Sequence, residues 1–202
     1  MPRPSQLDQK RRELLPIVAR AFAELGYRRA TTAELAARCG VQENILYRLW
    51  PGKKAMFIAA IGAVYDVSVD MWRRVLAGPG GGRSAAQRLL AHEAENFGRF
   101  GHHRIVFAGL NETDDRDIRA ALAEMYQRYH RFVCDHVLAH RAQAGRAARS
   151  ATSARAEASA LAWALIGLGT VTSITRELGL LDDAARRRLM SRTGEMLLDG
   201  RT

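Results

Sequence analysis

Apolar residues recur at intervals of three and four along most of the chain, the spacing of a single helical face. The stripe Leu14, Leu15, Val18, Ala21, Phe22, Leu25 predicts a first helix from about Asp8 to Leu25, interrupted at Pro16 and closed by Gly26. Thr31, with Glu34 three residues on, reads as a capping box in which each side chain satisfies a free amide of the other residue. The helix it opens carries Leu35, Ala36 and Cys39 inward and ends at Gly40, with Val41 closing the turn. Gln42-Glu43-Asn44 then starts a second short helix that buries Ile45 or Leu46, and Leu49, while Tyr47 and Arg48 project outward.

Longer helices follow. About Lys53–Leu76 carries Met56, Phe57, Ile61, Val64, Tyr65 and Trp72 on one stripe. The run Gly78–Gly82 is a connector, since a phosphate cradle needs a preceding strand and a following Lys-Ser/Thr. Further helices are expected over about Ser84–Phe97, Arg104–Asn111, Asp115–Arg141, Ala154–Leu178 and Asp182–Leu198, with a polar loop at Gly145–Ser153. Ala158–Ile174 is apolar but short for a membrane span, and its Ala162, Gly167 and Gly169 permit close helix contact. The fold class is therefore all-α. A three-helix helix-turn-helix domain at 1–54 precedes a larger helical domain at 55–202, about nine helices in all.

Charge sharpens the picture. The 202 residues carry a net +10, and residues 1–54 hold 11 of the 31 basic residues against 5 of the 21 acidic ones. A net +6 in that quarter suits a polyanion partner, although Arg186–Arg188 show that arginine also decorates the remainder. Arg3 and Lys10-Arg11-Arg12 read as an arm and helix start within reach of phosphates, or as a solvated tail. Cys39 and Cys134 lie on separate helices without metal-like spacing and read as free thiols of a reducing compartment. The N-terminal residues have no apolar stretch of the signal-peptide kind.

The stretch GYRRATTAELAARCGVQENILYRLWPGKKAMF resembles the DNA-binding signature of the TetR family of bacterial regulators. Gly26-Tyr27, Thr31-Thr32, Ala36, Gly40-Val41, Leu46-Tyr47, Trp50 and Lys53 carry the match, over roughly a quarter of the chain. The resemblance implies phosphate contacts from Thr32, Tyr47 and Lys53. Glu43 and Asn44, at the start of the recognition helix, face base edges; Gln42 caps that helix or reaches a phosphate, and Arg48 reads guanine or holds the backbone. Ala33, Ile45 and Leu49 depart from the longer or polar residues of many relatives, so the contact set is reduced and Ile45 and Leu49 are expected to pack inward.

The resemblance also implies a cytoplasmic homodimer, nucleoid-associated when on DNA, that binds a palindromic double-stranded operator and leaves it when a small-molecule inducer binds. The helix beginning at Lys53 would link the two domains. Lining candidates for the inducer are Phe97, Phe100, Phe107, Met125, Tyr126, Tyr129 and Trp163, although such a set at helical spacing is more often plain core. Polar candidates are His92, Glu95, Asn96, His103, Asn111 and His130. The last two helices are expected to pair with their copies through Leu165, Ile166, Leu168, Val171, Leu189, Met196 and Leu197.

No cofactor, membrane partner or enzyme chemistry is expected, because neither paired carboxylates nor a Ser/His/Asp motif is evident. Two other readings stay open. His92-x-x-Glu95 and His136…His140 have the spacing of metal ligands on one helix face, which would suit a metal-responsive regulator. A non-specific architectural DNA-binding protein would share the basic charge.

Overall fold

The computed structural model describes residues 5–96, 98, 101–145 and 150–200. Nine helices run through them: α1 (Gln6–Arg29), α2 (Thr32–Cys39), α3 (Glu43–Leu49), α4 (Lys53–Ala77), α5 (Ala85–Asn96), α6 (His102–Leu110), α7 (Arg116–Gln143), α8 (Ala151–Glu177) and α9 (Asp183–Asp199). Arg3, Phe97, Phe100 and residues 146–149 of the expected loop lie outside the described residues. The chain forms two compact units, Met1–Val67 with Gly101–Met125, and Ser68–Phe100 with Tyr126–Thr202, so α4 and α7 are each divided between them.

In the first unit α1 packs on α6 and against α2 and α3. Its buried face is Leu14, Val18, Ala21 and Phe22, and Phe22 meets Phe57 edge-on at 4.9 Å. The expected interruption at Pro16 does not occur. Gly26 alone inside α1 leaves helical geometry (φ 75, ψ 169), whereas Pro16 sits on the exposed side, where its ring-fixed φ suits the helix. The capping box at Thr31 is half realised. Thr31 Oγ1 accepts from the Glu34 amide at 3.1 Å, but the Glu34 carboxylate takes Arg38 Nε at 2.8 Å.

A complete box forms instead at the start of α5. Ser84 Oγ accepts from the Gln87 amide at 3.2 Å, and Gln87 Oε1 accepts from the Ser84 amide at 3.1 Å.

The second unit is built on α5 against α9 and α8 against α9. Its core includes Leu90, Val137, Ala162, Leu168, Met190 and Leu198. Gly194 lets α9 approach α5, because a methyl there would collide with both Cδ atoms of Leu90. Buried His140 ties three elements together: its Nδ1 lies 2.8 Å from Ser84 Oγ, and its Nε2 donates to Asp199 Oδ1 at 3.0 Å. Deeper in the unit, Trp72 Nε1 donates to Glu93 Oε1 at 2.5 Å, and the indole ring lies 5.5 Å from Tyr129 and 5.0 Å from Phe132. Burial raises the Glu93 carboxyl to about 7, partly offset by the indole hydrogen bond. Both α4 and α8 are long and apolar enough to cross a membrane by length and composition, yet α8 turns Ala158, Ala162 and Leu168 into this core.

Two stability outcomes follow from this packing. Gly194→Ala should lower stability by roughly 1 kcal/mol, since overpacking of about 1–3 kcal/mol outweighs a helix-propensity gain of about 1. Gly62→Ala, where a methyl would meet nothing within 4 Å, should raise it; urea melts of both variants check the pair. Glu93 binds its proton more tightly folded than unfolded, where the ordinary value is 4.5, so its contribution falls as pH rises from about 4.5 to 7 and is then fully lost. Glu93→Gln should therefore gain about 3 kcal/mol over the parent at pH 8 relative to pH 4, read by denaturation at both values.

Candidate nucleic-acid interface

The second short helix is presented by the elements before and after it. Gly40 (φ 63, ψ 31) ends α2, with the Val41 amide bonded to the Ala36 carbonyl at 3.1 Å and the Gly40 amide to Ala37 at 3.1 Å. This paired closure sets the angle at which α3 leaves. Leu46 and Leu49 of α3 are buried, Ile45 is half-buried, and Trp50 beyond them is buried with its indole nitrogen unpaired. The inward role expected for Leu49 is met.

The opposite face of α3 is open. Gln42, Glu43, Asn44, Tyr47 and Arg48 are all exposed, Tyr47 at 53%. The Gln42 side chain makes no cap bond, which leaves its amide free for an outside partner. Tyr47 donates its hydroxyl to Thr32 Oγ1 at 3.3 Å, bringing the two residues to one spot beside the first amides of α2. That cluster of a phenol, a hydroxyl and helix-start amides suits a phosphate.

Lys53 is more constrained than expected. Its Nζ donates to the Tyr27 carbonyl at 3.1 Å and lies 4.6 Å above the Tyr27 ring, with two further N–H donors on the ammonium. Arg11, read from sequence as within reach of phosphates or as part of a solvated tail, donates through Nε and Nη2 to the Leu49 carbonyl at 3.0 and 2.5 Å. It caps the far end of α3, a positioning role with no local sequence signal, since the two residues are 38 apart. Lys10 pairs with Glu13 at 3.2 Å, and Arg12 Nε donates to the Asp8 carbonyl at 3.3 Å.

The described ligand candidates divide between the units. Phe107 and buried Met125 belong to the first, and Tyr126, Tyr129 and Trp163 to the second. Tyr129 donates to Ser68 Oγ at 2.7 Å, while burial pushes the Tyr126 phenol up, opposed by a hydrogen bond with Thr170. Trp163 is 47% exposed on α8 and stacks on His130 at 4.8 Å. Trp72 and Glu93 were missed as a pair, because 21 residues and a connector separate them.

The histidines have other partners. His92 Nδ1 lies 3.3 Å from the Asn96 amide, His136 Nδ1 donates to the Phe132 carbonyl at 2.8 Å, and Glu95 pairs with Arg187 at 3.1 Å. Among the described residues no three of His, Cys, Asp and Glu gather as metal ligands do. The fold does bring Ser84, His140 and Asp199 together, an order of groups unseen in the sequence. That chain serves packing: His140 is buried, and the Ser84 oxygen is engaged by the Gln87 amide.

On α8 and α9, Leu168 is buried in the chain's own core, and Leu165 and Leu189 pack against it. Ile166 and Leu197 are half-buried. The apolar residues left exposed are Trp163, Val171, Ile174, Leu178 and, on α9, Met196. At about 100° per residue, the three on α8 and Leu178, which caps it, fall within an arc of roughly 80°.

Comparison with known proteins bears on the same regions. The family model described as bacterial regulatory proteins, tetR family, matches residues 19–60, from α1 through α3 into α4. The nucleoid occlusion factor SlmA of Pasteurella multocida is 41% identical over 56 residues, 27% of this chain and 28% of that protein. Similarity of fold extends much further. A TetR-family transcriptional regulator from Cytophaga hutchinsonii superposes with a TM-score of 0.77 at 14% identity, covering 98% of both chains. A transcriptional regulator from Saccharomonospora viridis in complex with choline gives 0.71 at 17% identity, over 94% of this chain and 96% of that one. Residues 19–60 thus match the family model of the tetR bacterial regulatory proteins, and the chain as a whole shares the fold of TetR-family transcriptional regulators.

Proposed function

We propose that this protein is a homodimeric repressor that sets two copies of α3 in successive major grooves of a palindromic operator and leaves it when a small-molecule inducer binds. The observation that carries the DNA reading is the division of α3: Leu46 and Leu49 are inside, while Gln42, Glu43, Asn44, Tyr47 and Arg48 face solvent. Thr32, Tyr47 and Lys53 hold phosphates, Glu43, Asn44 and Arg48 meet base edges, and Gln42 serves either. In functional terms residues 1–54 bind DNA and 55–202 sense ligand and dimerise, in the cytoplasm.

The exposed apolar arc of Trp163, Val171, Ile174 and Leu178, joined by Met196, supports a two-fold interface. An apolar strip of this length on one helix is costly in water and is covered by an isologous contact. The structural relative in complex with choline supports a ligand-responsive helical domain. Inducer and operator are coupled through a two-state equilibrium, in which the ligand must favour the form that DNA does not.

Fluorescence anisotropy on duplexes from the protein's own promoter region, with a scrambled duplex alongside, tests the operator reading. Tyr47→Phe should weaken specific binding about tenfold, the loss of one hydrogen bond to a charged group. Arg48→Ala should cost about 1–3 kcal/mol and relax preference at one position if the guanidinium reads a base. Equal affinity for both duplexes, lost together at high salt, would replace this reading with an architectural one.

Dimerisation has its own check. Val171→Glu places like charges across the two-fold contact, and sedimentation should move from dimer to monomer with the helical content retained. A variant that stays dimeric would move the interface off α8.

A further inference from the structure

We propose that the inducer is a lipophilic organic cation, an ammonium or related onium carrying apolar groups, whose charge pairs with Glu93 beside Trp72, Tyr129 and Phe132. This rests on the ligand-released repressor reading above and assigns that ligand its chemical class.

The argument begins with an uncompensated charge. Glu93 Oε1 accepts the Trp72 indole N–H at 2.5 Å, and among the described residues no basic side chain pairs with the carboxylate. Three cations on the neighbouring helices are committed elsewhere. Arg73 pairs with Asp70 at 3.2 Å, Arg187 with Glu95, and Arg88 donates to the carbonyls of Val75, Leu76 and Gly78. His136 is held by the Phe132 carbonyl and His92 by Asn96. A carboxylate set among packed apolar groups without a counter-charge is retained at a cost to the fold, as its upward-shifted titration records. A bound cation would remove that cost.

The surroundings select the kind of cation. Trp72 has Tyr129 at 5.5 Å and 63° and Phe132 at 5.0 Å and 28°, and Phe132 in turn stacks on His136 at 4.4 Å. Aromatic faces beside an anion attract an onium group and its hydrocarbon substituents, and disfavour both a metal ion and an anion. Tyr129 and Phe132 are half-buried and Glu93 keeps part of its surface exposed, so the cluster is not sealed. The second carboxylate oxygen is free to accept from a protonated amine, while a quaternary group would pair by charge alone.

Proton balance gives the proposal its signature. Below pH 7 the carboxyl carries a proton that a permanently charged cation must expel to bulk water, so affinity should rise about tenfold from pH 6 to pH 8 and then level. The probes are tetramethylammonium, benzyltrimethylammonium and tetraphenylphosphonium, with benzyl alcohol and phenylacetate as neutral and anionic counterparts. Calorimetry on the full chain should find one cation per chain, with the larger apolar cations bound most tightly. Glu93→Gln should weaken them at least tenfold and flatten the pH dependence, and Phe132→Leu, checked by circular dichroism, should weaken them several-fold while keeping that dependence. Equal binding by the parent and Glu93→Gln, tighter binding of phenylacetate, or no binding of any cation would each overturn the proposal.

Operator binding is followed in the same samples. Specific operator binding without cation binding sinks only this inference. Cation binding by Glu93 in a protein that prefers no duplex keeps the site and removes the repressor. Cation binding that leaves a specific operator complex undisturbed overturns the assignment as inducer.

Discussion

A helix of seven residues does not persist alone in water, because nucleation costs more than one or two turns return. The seven-residue α3, proposed above as the DNA-reading helix, is such a helix and has to be held from outside. Three supports do this. Leu46 and Leu49 are buried, the left-handed Gly40 closure fixes the entry, and Arg11 reaches back from α1 to the last-turn carbonyl. Arg11 is thereby engaged on the last turn of α3, and Lys53 is similarly anchored through Tyr27.

The second unit is organised around buried polar groups rather than around a uniform apolar interior. His140 joins the α5 cap to the end of α9, and Trp72 joins α4 to Glu93 on α5. The two arrangements differ in outcome. His140 has a partner on each ring nitrogen and an acidic neighbour, so it fastens helices together. Among the described residues Glu93 has a neutral donor and no cation, so its charge is left uncompensated there. If the domain answers to a ligand as proposed, the unsatisfied charge is where differential affinity would arise.

Legibility in the sequence followed the range of the interactions. The helix-turn-helix was readable because its determinants are neighbours: Thr31 caps onto Glu34, Gly40 closes on Ala36 and Ala37, and Leu46 and Leu49 share a face. Every helix was found to within a few residues, since apolar period and Gly or Ser/Asp punctuation act over one or two turns. Pro16 was misjudged because a proline satisfies helical φ and costs mainly one backbone bond, which an exposed position tolerates. The start of α5 near Ser84 was read correctly, but its full capping box with Gln87 went unnoticed.

Sequence by itself thus determined the all-α class, the order of the helices, and the outward residues of α3, because each depends on groups within a few positions of one another. Tertiary structure alone decided which side of α8 stays in water. That helix is apolar nearly all round, so its period cannot distinguish Leu168, taken into the core, from Val171, left outside. It alone also joined Ser84 to His140 and Asp199, Arg11 to Leu49, and Trp72 to Glu93. Those pairings carry no local pattern, and helix packing sets them only once the chain has closed on itself.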